Sequence, residues 1–196
     1  MTRAAWDTLL AEARRLHESH PALADFCPFP DDVTPQDVAP HNINAARLFE
    51  ADEQLDRSHP MAAAFHGASP IAQWRETYKG TQIASDFMDR FGCYCLVGSG
   101  GAFTSAQFSS YVVYMPSHLE YPAHHHPAEE LYVILAGSAE FHCAGKAPET
   151  LGPGDVSQHA SNQPHATITR DQPVLAYVVW RNNLGIKPVW TQEALR

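Results

Sequence analysis

The chain lacks three things that would each have set its class. It has no CxxC pair: its cysteines, Cys27, Cys93, Cys95 and Cys143, are scattered. That scatter does not suggest a disulfide framework. Cys93 and Cys95 stand two apart, on one face of a strand, and read as buried thiols. It has no basic stripe: 13 Lys and Arg face 22 Asp and Glu, for a net charge of -9. A nucleic-acid partner is thereby excluded, since nothing would track phosphates. The acidic balance is compatible with a cationic small substrate. Nor is there a long apolar run. Segments such as LYVILAG at 131–137 fall far short of the roughly 20 residues of a spanning helix. The N-terminus, MTRAAWDTLLAEARRLHES, is amphipathic and not a signal peptide, so a cytoplasmic location is expected.

What is present divides near residue 91. Residues 3–17 place Trp6, Leu9, Leu10, Ala13 and Leu16 at helical spacing. PFPDDVTPQDVAP at 28–40 reads as a loop. Residues 42–56 and 70–91 are further helix candidates, the second with Pro70 in its first turn and a break at Gly80. Beyond Cys93 the period becomes that of strands, with β-rich runs at 93–97, 110–115, 130–135, 138–143, 165–169 and 174–180. The expectation is a mainly β protein: a helical N-terminal extension, 1–90, packed on a β-barrel, 91–196, as one unit.

The chemistry concentrates in YPAHHHPAEELYVILAG at 121–137. In extended chain, residues two apart share a face. His124 and His126 therefore point together and His125 points away. Glu130 and Tyr132 share a face, with Leu131, Val133 and Leu135 on the other. Pro127 and Ala128 form a turn that can fold Glu130 beside the histidines. A second segment, LGPGDVSQHASNQPHATIT at 151–169, has a tight turn at 152–155 and brings His165 on a neighbouring strand. Three imidazoles and a carboxylate suit Zn, Fe, Mn, Co or Ni. His125 and Glu129 read as solvated, and His118, His142 and His159 as structural. Ser161 and Asn162 lie near the mouth without an assigned role.

Read as H-x-H-x3-E-x6-G and P-G-D-x9-H, these segments resemble both cupin motifs: His124, His126, Glu130 and Gly137, then Pro153, Gly154, Asp155 and His165. The resemblance implies a cupin, a jelly-roll-like β-barrel; cupins often pair through their sheets, which leaves a homodimer open. Several features resemble the cupin-type dimethylsulfoniopropionate lyases of the DddQ group. They are the E-L-Y spacing from Glu130 to Tyr132, Tyr121 ahead of the histidines, Trp180 ending a late strand, and the helical extension. That resemblance implies one divalent transition metal ion, such as Zn, Fe(II) or Mn, held by His126, Glu130, Tyr132 and His165. His124 stands close by, as an alternate ligand or behind the others. It also implies cleavage of a zwitterionic sulfonium to dimethyl sulfide and acrylate, with Tyr121, His124 and Trp180 against the substrate.

Such an elimination removes a proton α to a carboxylate. A divalent metal on that carboxylate would stabilise the developing charge as a Lewis acid. A phenol with a pKa near ~10 needs a nearby cation to act as base. Tyr132 is the expected base and Tyr121 the competing one, while aromatic faces can receive the sulfonium. The alternative readings are an Fe(II) dioxygenase, a sugar isomerase or epimerase, or a non-enzymatic sensor or storage cupin. A sensor is disfavoured by the lack of a basic helix pair.

Overall fold

The computed structural model describes residues 2–75 and 85–191. Helix α1 (Thr2–Ser19) buries Trp6, Leu9, Ala13 and Leu16, the stripe its spacing predicts. Helix α2 (Pro21–Phe26) opens with proline in its first turn. The proline-rich stretch read as a loop contains a two-residue strand, β1 (Thr34–Pro35), at the edge of a sheet. An edge tolerates Pro35, which has no N–H to donate. Helix α3 (Asn44–Ala51) is shorter than the expected 42–56. Arg57 ends it, donating from one nitrogen to the carbonyl oxygens of Phe49, Glu50 and Asp52. Helix α4 (Pro60–Ala68) was not expected. Its MAAAFHGA stretch is nearly all apolar, so periodicity gives no sign of it, and Met61, Ala62, Ala64, Phe65 and Ala68 are buried.

The helix candidate over 70–91 is not helical where it was expected to begin. Pro70 sits in a 3-10 turn, Ser69–Ile71, after which the chain runs extended through bridges His41–Gln73 and Trp74–Tyr94. Trp74 explains the departure. Its indole is buried against Phe49 and Tyr94 and donates from Nε1 to the Ser69 carbonyl at 3.2 Å. Gly80 lies outside the described residues. Helix α5 (Ser85–Arg90) then leads into the strands.

The strands are β2 (Gly92–Val97), β3 (Phe103–Thr104), β4 (Phe108–Met115), β5 (Glu120–His125), β6 (Glu129–Gly137) and β7 (Ala139–Cys143), followed by β8 (Glu149–Leu151), β9 (Val156–His159), β10 (His165–Ile168), β11 (Val174–Arg181) and β12 (Val189–Trp190). They form a seven-stranded sheet, ordered β1-β3-β2-β4-β11-β6-β9, and a five-stranded sheet, ordered β12-β5-β10-β7-β8. All six β-rich runs read from the sequence are strands. At Gly137, where β6 ends, φ is +71° and an added Cβ would sit 1.8 Å from the Pro173 carbonyl oxygen. Only glycine permits that approach.

Alternation along the large sheet makes two cores. Leu131, Val133, Leu135, Leu175, Tyr177 and Val179 face the helices and join Trp6, Leu9, Phe49, Phe65 and Trp74 in one cluster. Tyr132, Ile134, Ala176 and Val178 face the other way, into the barrel, with Tyr121, Phe141, Phe87 and Phe91. The helical part therefore covers one face of the sheet whose other face carries the candidate site. Among the described residues no helix is long and apolar enough to cross a membrane.

Candidate metal centre

Strand register brings the predicted ligands together. His165 at the start of β10 pairs with His124 on β5, and Glu130 on β6 pairs with His159 on β9. His124, His126, Glu130, His159 and His165 are all buried. Two overlapping groups, His124–His126–His165 and Glu130–His159–His165, each bring their ligand atoms within 4.8 Å of one another.

Each of the three predicted imidazole ligands is oriented by its own backbone. Nδ1 of His124 lies 2.8 Å from the Pro122 carbonyl oxygen, Nδ1 of His126 is 3.0 Å from that of Ala128, and Nδ1 of His165 is 2.8 Å from that of Gln163. A carbonyl only accepts, so Nδ1 carries the proton and Nε2 keeps its lone pair, the tautomer a metal requires. Nε2 of His126 and of His165 are buried with no hydrogen-bond partner among the described residues. They lie 3.4 and 3.2 Å from Oε2 of Glu130 without the geometry of a hydrogen bond. Lone pairs and an anion facing one another in a buried site call for a cation.

The ionisation of the cluster agrees. Burial disfavours a charged Glu130, but His126 and the surrounding donors outweigh it and hold the carboxyl well below its usual range. Burial likewise disfavours a charged His126, and Glu130 reverses this, raising its pKa. A proton on His126 or a metal ion meets the same demand. His124 is held neutral by burial and by His165, far below the usual imidazole value. An imidazole and carboxylate donor set fits a divalent first-row ion.

His159, read from the sequence as structural, belongs to the cluster. Its Nδ1 is 2.7 Å from Oε2 of Glu130, its Nε2 is 2.9 Å from Ser157 Oγ, and its ring stacks on His165 at 3.9 Å. Burial, with His165 next, pushes its pKa down to about 4. The V-S-Q-H alternation after the Pro-Gly-Asp turn could have raised this residue as a candidate. Its pairing with Glu130 could not be read from one sequence. Ser161 and Asn162 also acquire roles. Ser161 Oγ donates to the Pro127 carbonyl at 2.7 Å and the Asn162 N–H to that of His126 at 2.8 Å, bracing the turn between β5 and β6.

The aromatic candidates surround this centre. Tyr132, buried one alternation step beyond Glu130, packs at a tilt against His159, with ring centroids 5.6 Å apart. Tyr121 stacks on His124 at 4.0 Å. Trp180 was expected only as a face for the substrate. It also donates from Nε1 to Oε1 of Glu130 at 2.6 Å and lies over His126 at 4.2 Å. Glu130, Tyr132, Tyr121 and Trp180 line one cavity of about 670 Å³. His125 and Glu129 fall outside it. Nδ1 of His125 meets Thr191 Oγ1 at 2.8 Å, and Glu129 pairs with Arg181 at 2.6 Å. His118 lies 3.8 Å from Asp171 on the surface, and His142 contacts Glu140.

A two-sheet barrel that turns several imidazoles and a carboxylate into its interior is cupin-like. The chain belongs to the dimethylsulfoniopropionate (DMSP) lyase family, whose profile matches residues 22–176. It is 52% identical over 192 residues to dimethylsulfoniopropionate lyase DddQ of Ruegeria pomeroyi, covering 97% of this chain and 96% of that one. The crystal structure of that DMSP lyase superposes with a TM-score of 0.93 at 51% identity, covering 96% of each chain. A structure described as that of the DMSP lyases RdDddP and RnDddQII gives a TM-score of 0.92 at 34% identity, covering 98% of this chain and 100% of the other.

Proposed function

We infer that this chain cleaves dimethylsulfoniopropionate to dimethyl sulfide and acrylate by β-elimination. The observation that carries the reading is the pair of buried Nε2 atoms on His126 and His165, without a hydrogen-bond partner among the described residues and facing Glu130, which lines the same cavity as Tyr132. The likeness to the Ruegeria pomeroyi lyase supports the choice of substrate.

His126, Glu130 and His165 would hold a divalent ion, with His124, His159 and Tyr132 beside them. When bound, that ion supplies positive charge that favours phenolate at Tyr132 and Lewis acidity toward the developing anion. Tyr132 accepts the proton from the carbon α to the carboxylate. The electrons of that C–H bond form the new C=C bond, and the C–S electrons leave with sulfur. Dimethyl sulfide departs neutral and needs no proton. Tyr121 and Trp180 present ring faces to the sulfonium, and Trp180 also fixes Glu130. The barrel interior keeps water from the phenolate.

Headspace detection of dimethyl sulfide from purified protein, with and without chelator, tests this reading. Metal-dependent release, without oxygen consumption, is the expected result. Oxygen uptake with Fe(II) and no dimethyl sulfide would favour a dioxygenase.

A further inference from the structure

The carboxylate of Glu130 is held at both oxygens. Oε1 accepts from Trp180 Nε1 at 2.6 Å, and Oε2 accepts from His159 Nδ1 at 2.7 Å. Oε2 is also the oxygen that faces Nε2 of His126 and of His165, at 3.4 and 3.2 Å. Of the two donors, Trp180 lines the cavity and His159 does not. His159 approaches from β9, whose register sets it opposite Glu130 and sets Ser157 opposite Tyr132.

The hydrogens along this line follow from what each group can do. Glu130 is ionised, and an ionised carboxylate only accepts, so His159 carries its proton on Nδ1. Its Nε2 then has a lone pair and no hydrogen. Ser157 Oγ, 2.9 Å away, therefore donates to it. Ser157 and His159 stand two apart on one strand and share a face, so the hydroxyl reaches along β9 to the ring. Turning the ring over would put carbons where its two nitrogens now stand, so the bonds at its two ends fix its orientation together. The same ring stacks on His165, with centroids 3.9 Å apart. One imidazole thus touches two candidate ligands, and its far nitrogen is tied to a half-buried hydroxyl that does not line the cavity.

We propose that Ser157 is a positioning residue of the metal centre: acting through His159, it holds Glu130 so that Oε2 is the oxygen presented to the ion. Without the hydroxyl, Nε2 of His159 loses its donor and the ring loses its outer anchor. The proposal rests on the metal-dependent lyase reading for the ion and its use, while the hydrogen-bonded line from Ser157 to Glu130 belongs to the chain alone.

The test is a double-mutant cycle read as zinc affinity. Zinc is titrated into full-length protein in competition with a chromophoric chelator, and circular dichroism checks each fold. His159→Ala should weaken binding by about 10–100-fold. Ser157→Ala, one bond further out, should weaken it by about 3–10-fold. Ser157→Thr keeps the donor and should stay within about twofold of wild type. The double variant should bind no more weakly than His159→Ala alone, because a residue that acts only through another then has nothing to act through. In metal-free wild type, nitrogen-15 NMR should find His159 protonated at Nδ1. Unchanged affinity in Ser157→Ala, equal losses in Ser157→Ala and Ser157→Thr, losses that add in the double variant, or a proton at Nε2 of His159 would each overturn the proposal. A wild type that binds no zinc would overturn it together with the metal centre. Affinities in the expected order, in a protein that releases no dimethyl sulfide, would uphold the positioning role and sink the lyase reading alone.

Discussion

Two sets of buried histidines lie on opposite faces of the same sheet. His17, on α1, is fully partnered: Nδ1 meets the Cys27 carbonyl oxygen at 2.7 Å and Nε2 meets Tyr177 Oη at 3.1 Å. Phe29, Phe108 and Tyr177 pack against its ring edge-on. His126 and His165 are as deeply buried, yet each leaves Nε2 without a partner among the described residues. Burial is common to both sets, so burial does not mark the site. The mark is a polar atom placed at a cost of about 1–3 kcal/mol, with nothing among the described residues to satisfy it. His17 ties the helical part to β11, whereas His126 and His165 leave room for a ligand from outside.

The comparison can be broken most directly by removing the unpartnered atoms. His126→Ala or His165→Ala should abolish measurable turnover and lower bound metal, read by elemental analysis, while circular dichroism stays native. His159→Ala, which removes a hydrogen bond to Glu130 in place of an unpartnered nitrogen, should weaken metal binding by about 10–100-fold. Full activity in metal-free protein would refute the assignment.

Next in size is the pair of tyrosines. Tyr132→Phe removes one oxygen and keeps the ring against Phe141 and His159. Loss of a positioned base costs about 10²–10⁴-fold in rate, so kcat should collapse at matched metal occupancy. Tyr121→Phe keeps the stack on His124 and should cost less. The reverse order would make Tyr121 the base.

The smallest effect sharpens the structural side. Burial lowers the His17 pKa from 6.5 to about 4. A histidine depressed in the folded state binds its proton more readily when unfolded. Its contribution is therefore fully present above about pH 6.5 and is lost as the pH falls toward 4. A shift of this size corresponds to at most about 3 kcal/mol. In urea titrations the stability gap between wild type and His17→Gln should be constant above pH 6.5 and narrow below it, while metal content at pH 7 stays unchanged in both. A gap that does not change with pH would show that His17 titrates normally.

Much of this arrangement was legible because alternation is a local property. The two-residue period from Glu130 to Leu135 sorts Tyr132 to the site and Leu131, Val133 and Leu135 to the helix-facing core, as the structure has them. His124, His126, Glu130 and His165 converge as their motif spacing implies. What was not legible depends on partners distant in sequence. His159 joins the cluster through its register with Glu130, and Trp180 through an indole bond to Glu130 across strands. The start of the helix candidate over 70–91 is extended for the same reason, since Trp74 is drawn into a core built by α3 and β2. Helix α4 escaped notice because every side of it is apolar.

Trp180 has a further consequence. Its indole is in contact with the ring of one candidate ligand and hydrogen-bonded to the carboxylate of another. An indole's emission responds to charge a few ångströms away. The centre therefore carries its own optical gauge: a change in the charge balanced by Glu130 registers as a change in colour or brightness, on a protein that needs no label.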